Sequence, residues 1–191
     1  MLTTTFALLH KHNACEGRYK HLAKSLGGIR AYGRTQPIPL LKILETNGLA
    51  DTLWCLRAVL EEQAAERDRL ARIFACDCAE RVLPIFEKGW PDDIRPRQAI
   101  EDARRFAKGL ATKDEMTAAF SAAWIVARAG SWSAWVATFS AAWVAWIAAL
   151  AVSEHLLEVA PWSGEEEWQA GHLRELLEAL NHVGRAARRG D

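Results

Sequence analysis

Asp77, Arg81, Asp93, Arg95 and Arg97 are the side chains of this 191-residue chain whose types and spacing best suit a joint task, and that task is ionic recognition. Asp77 and Arg81 stand four apart, one helical turn, and can pair along a single helix face. Asp93, Arg95 and Arg97 cluster where a helix begins, so the aspartate would meet the positive end of the helix dipole and could cap a free amide. Two readings of the set are open. It is either a salt-bridge network joining two helices, or a mixed-charge rim around an apolar centre that meets a partner. Catalysis is not expected, because no Ser-His-Asp order, glycine-rich phosphate loop or paired-carboxylate motif is present. No cofactor is implied.

Metal chemistry is not expected either. Cysteines stand at 15, 55, 76 and 78, all in segments that read as helices. Cys76 and Cys78 would point to well-separated sides of one helix, which suits neither a short-range disulfide nor a zinc site. His10 and His12 form no His-Glu-x-x-His or similar ligand spacing with His21, His155, His172 or His182, and they read as surface histidines. The first residues lack the basic start, apolar stretch and small-residue cleavage site of a signal peptide, so reduced thiols and a cytoplasmic location are expected.

Lysine plus arginine equals aspartate plus glutamate at 24 each, so no global field draws the chain to nucleic acid or to a membrane. The distribution is uneven. Residues 1–48 carry seven basic and two acidic groups, whereas the remainder of the chain is net acidic. This contrast suggests a basic helical N-terminal subdomain over 1–48 and a larger helical domain over 49–191. Half of the residues are apolar, enough for a sizeable core.

The elements that must position these groups read as helices almost throughout, and no stretch shows the alternation of a half-buried strand. A first helix carries Phe6, Leu8 and Leu9. A second, over 19–26, stops at Gly27-Gly28, and 33–39 is a turn because prolines flank Ile38. Short helices follow over 40–46 and 51–59. A longer one carries Ile73, Phe74, Val82 and Leu83 and is expected to kink or end at Pro84. After a turn at Trp90-Pro91-Asp92-Asp93, Pro96 suits a first helical turn, with Ile100, Ala103, Phe106 and Ala107 on the buried face and Gly109 closing the helix. Thr112 and Glu115 form a capping box, and a final amphipathic helix is expected over about 165–183.

Residues 117–152 form a belt of alanine and tryptophan. Trp124, Trp135 and Trp146 are eleven apart, and Trp132 and Trp143 repeat the interval. Eleven residues overshoot three helical turns by only ~20°, so such rows stay nearly aligned along a helix. The fold class expected is therefore all-α, a multi-helix bundle with this long belt as its spine. A straight helix of that length would span ~54 Å, against a globule ~42 Å across, so the belt must bend near Gly130 or pack on a second chain. Residues 129–153 carry no charge, but tryptophans run through the middle of the stretch rather than along two interfacial girdles, which opposes a membrane span.

Three stretches, 47–58 (NGLADTLWCLRA), 74–84 (FACDCAERVLP) and 93–109 (DIRPRQAIE through Gly109), followed by the alanine and tryptophan belt, resemble the Imm-5-like immunity proteins. The likeness covers roughly 40–155 and looks like the form often met in bacteriophage genomes. It implies a cytosolic all-α protein that neutralises another protein by binding it, either a bacterial toxin or a component of host defence such as a CRISPR-type effector. The belt departs from the pattern, for Arg128 is its only charge. By hot-spot energetics Trp132, Trp135, Trp143 and Trp146 with Arg128 are the partner contacts if the belt is exposed, and Arg95, Arg97, Asp77 and Arg81 if it is buried.

Two rival functions have their own residues. A DNA-binding regulator would use Arg18, Lys20, Lys24, Arg30 and Arg34 around a helix-turn-helix-like stretch at 22–28, although Gly27-Gly28 followed by Pro37 and Pro39 leaves little room for a recognition helix. A structural homo-oligomer would assemble through the belt.

Overall fold

A computed structural model describes residues 1–112 and 165–189. The belt, with Trp132, Trp135, Trp143, Trp146 and Arg128, and also Glu115 of the capping box, lies outside the described residues. The protein is mostly helical, with eight α-helices and one two-stranded sheet among the described residues. It divides into two compact units: Met1–Arg67 with Ala160–Asp191, and Asp68–Val159.

The first unit opens with a strand that the sequence did not announce. Thr3–Thr4 (β1) pairs antiparallel with Ile38–Pro39 (β2), Thr3 opposite Pro39 and Thr4 opposite Ile38. Each strand is only two residues long, too short for any alternation to register. Side chains anchor what the short ladder cannot. The Thr4 hydroxyl donates to the Ala58 carbonyl at 2.5 Å, and the Thr3 amide donates to the Gln63 side-chain oxygen at 2.8 Å. Leu2, Phe6, Ile38, Leu40 and Ile43 are fully buried around this pair.

Helix α1 (Phe6–Lys11) starts where the Thr5 hydroxyl accepts the Leu8 amide at 3.1 Å. Helix α2 (Glu16–Ser25) begins a turn earlier than expected and stops at Gly27, whose φ of 79° is open to glycine at little cost. The Gly28 amide then reaches the Ala23 carbonyl at 2.8 Å and the Gly27 amide that of Lys24 at 3.2 Å, which together close a Schellman motif. Helix α3 (Ile29–Tyr32) is a single turn. Helices α4 (Leu40–Asn47) and α5 (Leu49–Cys55) meet at Gly48, and a 3-10 turn over Leu56–Ala58 continues α5. The Asn47 side chain ties three elements together, donating to Asp51 on α5 at 2.8 Å and to the Arg18 carbonyl on α2 at 3.1 Å.

The second unit is built on α6 (Ala64–Gly89), which begins in the first, and α7 (Arg95–Ala107). Pro84 does not end α6. It is exposed, so the missing amide and the crowded carbonyl fall on the outer face, and the helix continues to Gly89. Cys76, Ala79 and Leu83 on α6 pack with Ile100 and Ala103 on α7. Spacings of three and four place these small side chains on facing stripes. Phe106 is half-buried and lies under the Arg72 guanidinium at 4.8 Å, a cation–π contact at the margin of the stripe. Gly109, at φ 71°, closes α7 with a second Schellman motif, the Leu110 amide reaching the Arg105 carbonyl at 2.8 Å.

The last described helix, α8 (Glu165–Arg189), belongs to the first unit and runs past the expected end near 183. Leu173 and Leu177, one turn apart, are buried, and α8 packs on α4 and α5. Arg174 meets Glu45 of α4 at 3.6 Å. Among the described residues, no helix is long and apolar enough to cross a membrane.

Candidate functional site: the α6–α7 hairpin

Four arginines of α7 reach carboxylates: Arg105 meets Asp102 within the helix at 3.3 Å, Arg95 meets Asp93 in the turn, and Arg97 and Arg104 reach α6 in an order that makes the two helices antiparallel. Nearest the turn, Arg95 takes Asp93 with two hydrogen bonds, Nε to Oδ1 at 2.8 Å and Nη2 to Oδ2 at 2.6 Å. The Asp93 carboxylate also accepts the Arg95 amide at 3.2 Å, so the expected cap at the start of α7 is present. The Arg95 side-chain hydrogen bonds hold the Asp93 carboxyl below its ordinary range against the opposing effect of burial, and Asp93 in turn raises Arg95.

One step further along, Arg97 spans the hairpin and holds Glu87 of α6 with two hydrogen bonds of 2.8 Å each. Deepest in the row, Arg104 bonds both Asp77, at 2.6 Å, and Glu80. Burial alone would lower the Arg104 pKa, but the two carboxylates outweigh it and leave the group above the ordinary arginine range. Planar guanidinium forks suit such bidentate contacts better than lysine would. Each of these arginines is thus directed at a carboxylate.

Apolar side chains stand beside these ion pairs. Among the described residues, the large hydrophobics that are exposed are Met1, Trp90, Ile94 and Leu110. The last three flank the two ends of α7. Ile94 is 67% exposed and Trp90 38%, both in the turn that precedes Arg95. Leu110 is 65% exposed beyond the Schellman motif.

The structure thus brings Arg95 and Arg97 to the turn, places Asp77 behind them in the Arg104 network, and leaves Arg81 exposed on α6. Arg104, Glu80, Glu87, Trp90 and Ile94 complete the site, although their spacing did not single them out. A signal for Arg104 existed. It follows Ala103 directly at the edge of the buried stripe, just as Asp77 and Glu80 edge the stripe of α6.

The thiols do not contribute surface chemistry here. Burial pushes Cys76 up to about 11, with Asp77 and Glu80 adding to the rise and Arg104 opposing it. Its Sγ donates weakly to the Ile100 carbonyl at 3.8 Å. Cys78 is buried as well. No group of three or more histidine, cysteine or acidic side chains among the described residues is placed to hold a metal ion.

The five cations expected for nucleic acid fall into two sets. Lys20 pairs with Glu16 at 2.6 Å and holds that carboxyl below its usual range, and Arg18 meets Asp51 at 3.7 Å. Lys24, Arg30 and Arg34 are exposed. The single-turn α3 occupies the place where a recognition helix would lie.

Residues 61–163 match the family described as Imm-5 like putative immunity protein, just over half of the chain. The chain belongs to this family. The match contains α6 and α7 entire, while the stretch 47–58 lies outside it. No curated protein and no solved structure matches the chain. Family membership suggests an inhibitor-like role exercised through binding a protein partner.

Proposed function

We propose that the protein is a stoichiometric, non-catalytic inhibitor whose working contact is the α6–α7 turn. Its target in this reading is a bacterial toxin or, if the chain is phage-encoded, a component of host defence such as a CRISPR-type effector. The observation that carries the reading is the juxtaposition, within the family-matched segment, of exposed Trp90 and Ile94 with Arg95 and Arg97, each already held by a carboxylate. Tryptophan and arginine dominate binding energy at protein interfaces, and a side chain ordered before binding loses less entropy on association.

Asp77 contributes by fixing Arg104, and Arg81 adds an exposed charge on α6. The belt residues Trp132, Trp135, Trp143, Trp146 and Arg128 supply the apolar spine in this proposal rather than the contact. Binding covers a working surface of the target and turns nothing over.

The test is recovery of a complex with the tagged full chain from bacteria that carry toxin or defence systems, read by native mass spectrometry. We expect a one-to-one complex that is lost in Trp90→Ala and Ile94→Asp variants of unchanged circular dichroism. A complex indifferent to both substitutions, or none in any host where the protein protects, overturns the reading.

A further inference from the structure

Residues 1–48 hold seven cations and two carboxylates, and the structure shows how these are spent. Glu16 takes Lys20, and Glu45 takes Lys42 at 3.4 Å as well as Arg174. Arg18 goes to Asp51. Lys11, Lys24, Arg30 and Arg34 remain exposed, with no ion-pair partner among the described residues.

Three of these cations sit on one local framework. Phe6 receives Tyr19 of α2 and Tyr32 of α3 in edge contacts, with centroids 5.4 and 6.0 Å away, so α1, α2 and α3 converge on a single ring. The Ala7 amide donates to the Arg34 carbonyl at 3.0 Å, which fixes the chain after α3 against α1. Lys24 lies in the last turn of α2 and Arg30 in α3, on either side of the tight Gly27-Gly28 turn. Exposed cations with no carboxylate partner among the described residues leave positive charge that an anionic partner can meet.

We infer that the α2–α3 surface carrying Lys24, Arg30 and Arg34 docks an acidic segment of a protein partner. The inference rests on the reading above only in taking that partner to be a protein, for the surface is a different one. Three observations favour a protein over nucleic acid. Helix α3 is one turn long, whereas groove reading places a helix of several turns against base edges. The chain as a whole is neutral, the excess of cations in 1–48 being offset by the acidic remainder, so a long polyanion gains less from it than a short acidic segment does. Phosphate binding also gains strength with the number of cations engaged, and few are available here.

The test titrates the full chain against a short labelled poly-glutamate peptide and, in parallel, a DNA duplex of equal charge, with fluorescence anisotropy as the readout. Peptide binding should weaken as salt rises and fall about tenfold or more in the Lys24→Glu, Arg30→Glu, Arg34→Glu triple variant. The corresponding triple glutamine variant, which adds no repulsive charge, should show a smaller loss. A Lys88→Glu, Lys108→Glu variant, which reverses charge away from this surface, should bind the peptide as the wild type does, and because the readout needs no target of the α6–α7 turn, failure of that reading leaves this titration untouched. Absence of peptide binding, or binding equal in the triple glutamate variant, overturns the inference. Tighter binding of the duplex overturns it in favour of nucleic acid. Self-association by light scattering that the triple variant abolishes overturns it in favour of a second copy of this chain.

Discussion

The arginines of α7 and the cations of α2–α3 carry the same charge in opposite electrostatic states. Along the hairpin, Arg95, Arg97 and Arg104 each engage at least one carboxylate within 2.8 Å, so their field is cancelled nearby and what they offer is a fixed shape with directed N–H groups. Among the described residues no carboxylate pairs with Lys24, Arg30 or Arg34, and these cations offer attraction with little geometry. Paired arginines suit the selection of a partner by fit. Unpaired cations suit its capture, since long-range attraction raises encounter rates more than it raises final affinity.

The sharpest way to break this comparison is to remove Arg104. Arg104→Ala removes the guanidinium that Asp77 and Glu80 share; Glu80 is 56% exposed and loses little, but because the Arg104–Asp77 pair is 29% and 17% exposed, we expect a loss of about 2 kcal/mol. A urea denaturation midpoint checks it. Removal of Arg97, whose pair with Glu87 is more open to water, should cost only about 0.5 kcal/mol by the same measurement. In the first unit, Lys24→Ala or Arg30→Ala should leave the midpoint where it was, because neither has an ion-pair partner among the described residues. A destabilisation there equal to that of Arg104→Ala would show that the two sets of cations are not different in kind.

Cysteine reactivity sharpens the contrast further. Cys15, next to α2, is exposed, whereas Cys76 and Cys78 in the hairpin and Cys55 in α5 are buried. Burial pushes Cys55 up to about 12, so thiolate is scarce there at neutral pH. Iodoacetamide should therefore add a single label to the native chain, at Cys15, and four labels after denaturation, as read by intact mass. The smallest effect expected is alkaline. Because the folded-state value of Cys76 lies above its ordinary 9.0, the stability it contributes is complete below pH 9.0 and is lost as pH rises through about 11. Midpoints that fall above pH 9.0 in the wild type but less in Cys76→Ala would bear this out.

Much of the helical plan was legible in the sequence because its punctuation is local. Gly27-Gly28 and Gly109 close helices as their sequence context predicts, and Pro96 sits in the first turn of α7. Asp93 caps that turn from two residues away, within the reach of a sequence window. Of the two outcomes expected at Pro84, an end does not occur, because on the exposed side of α6 the missing amide is not needed and the packed stripe of Cys76, Ala79 and Leu83 holds the helix together. The β1–β2 pair was invisible because its partners lie more than thirty residues apart and its stability comes from Thr3, Thr4 and Gln63 side chains. The candidate site divides in the same way. Arg95 and Arg97 were legible from their neighbours, whereas Arg104 gains its role from Asp77 and Glu80, which no spacing rule connects to it.

The placement of α8 sets an order of events during synthesis. Leu173 and Leu177 complete a core whose other walls, α4 and α5, leave the ribosome more than a hundred residues earlier. Until α8 emerges, that side of α4–α5 stays uncovered, so the first unit is begun first and finished last. Contacts so distant in sequence form slowly and expose apolar surface while they wait. A chain cut short before α8 would keep its hairpin whole yet leave the first unit unsealed.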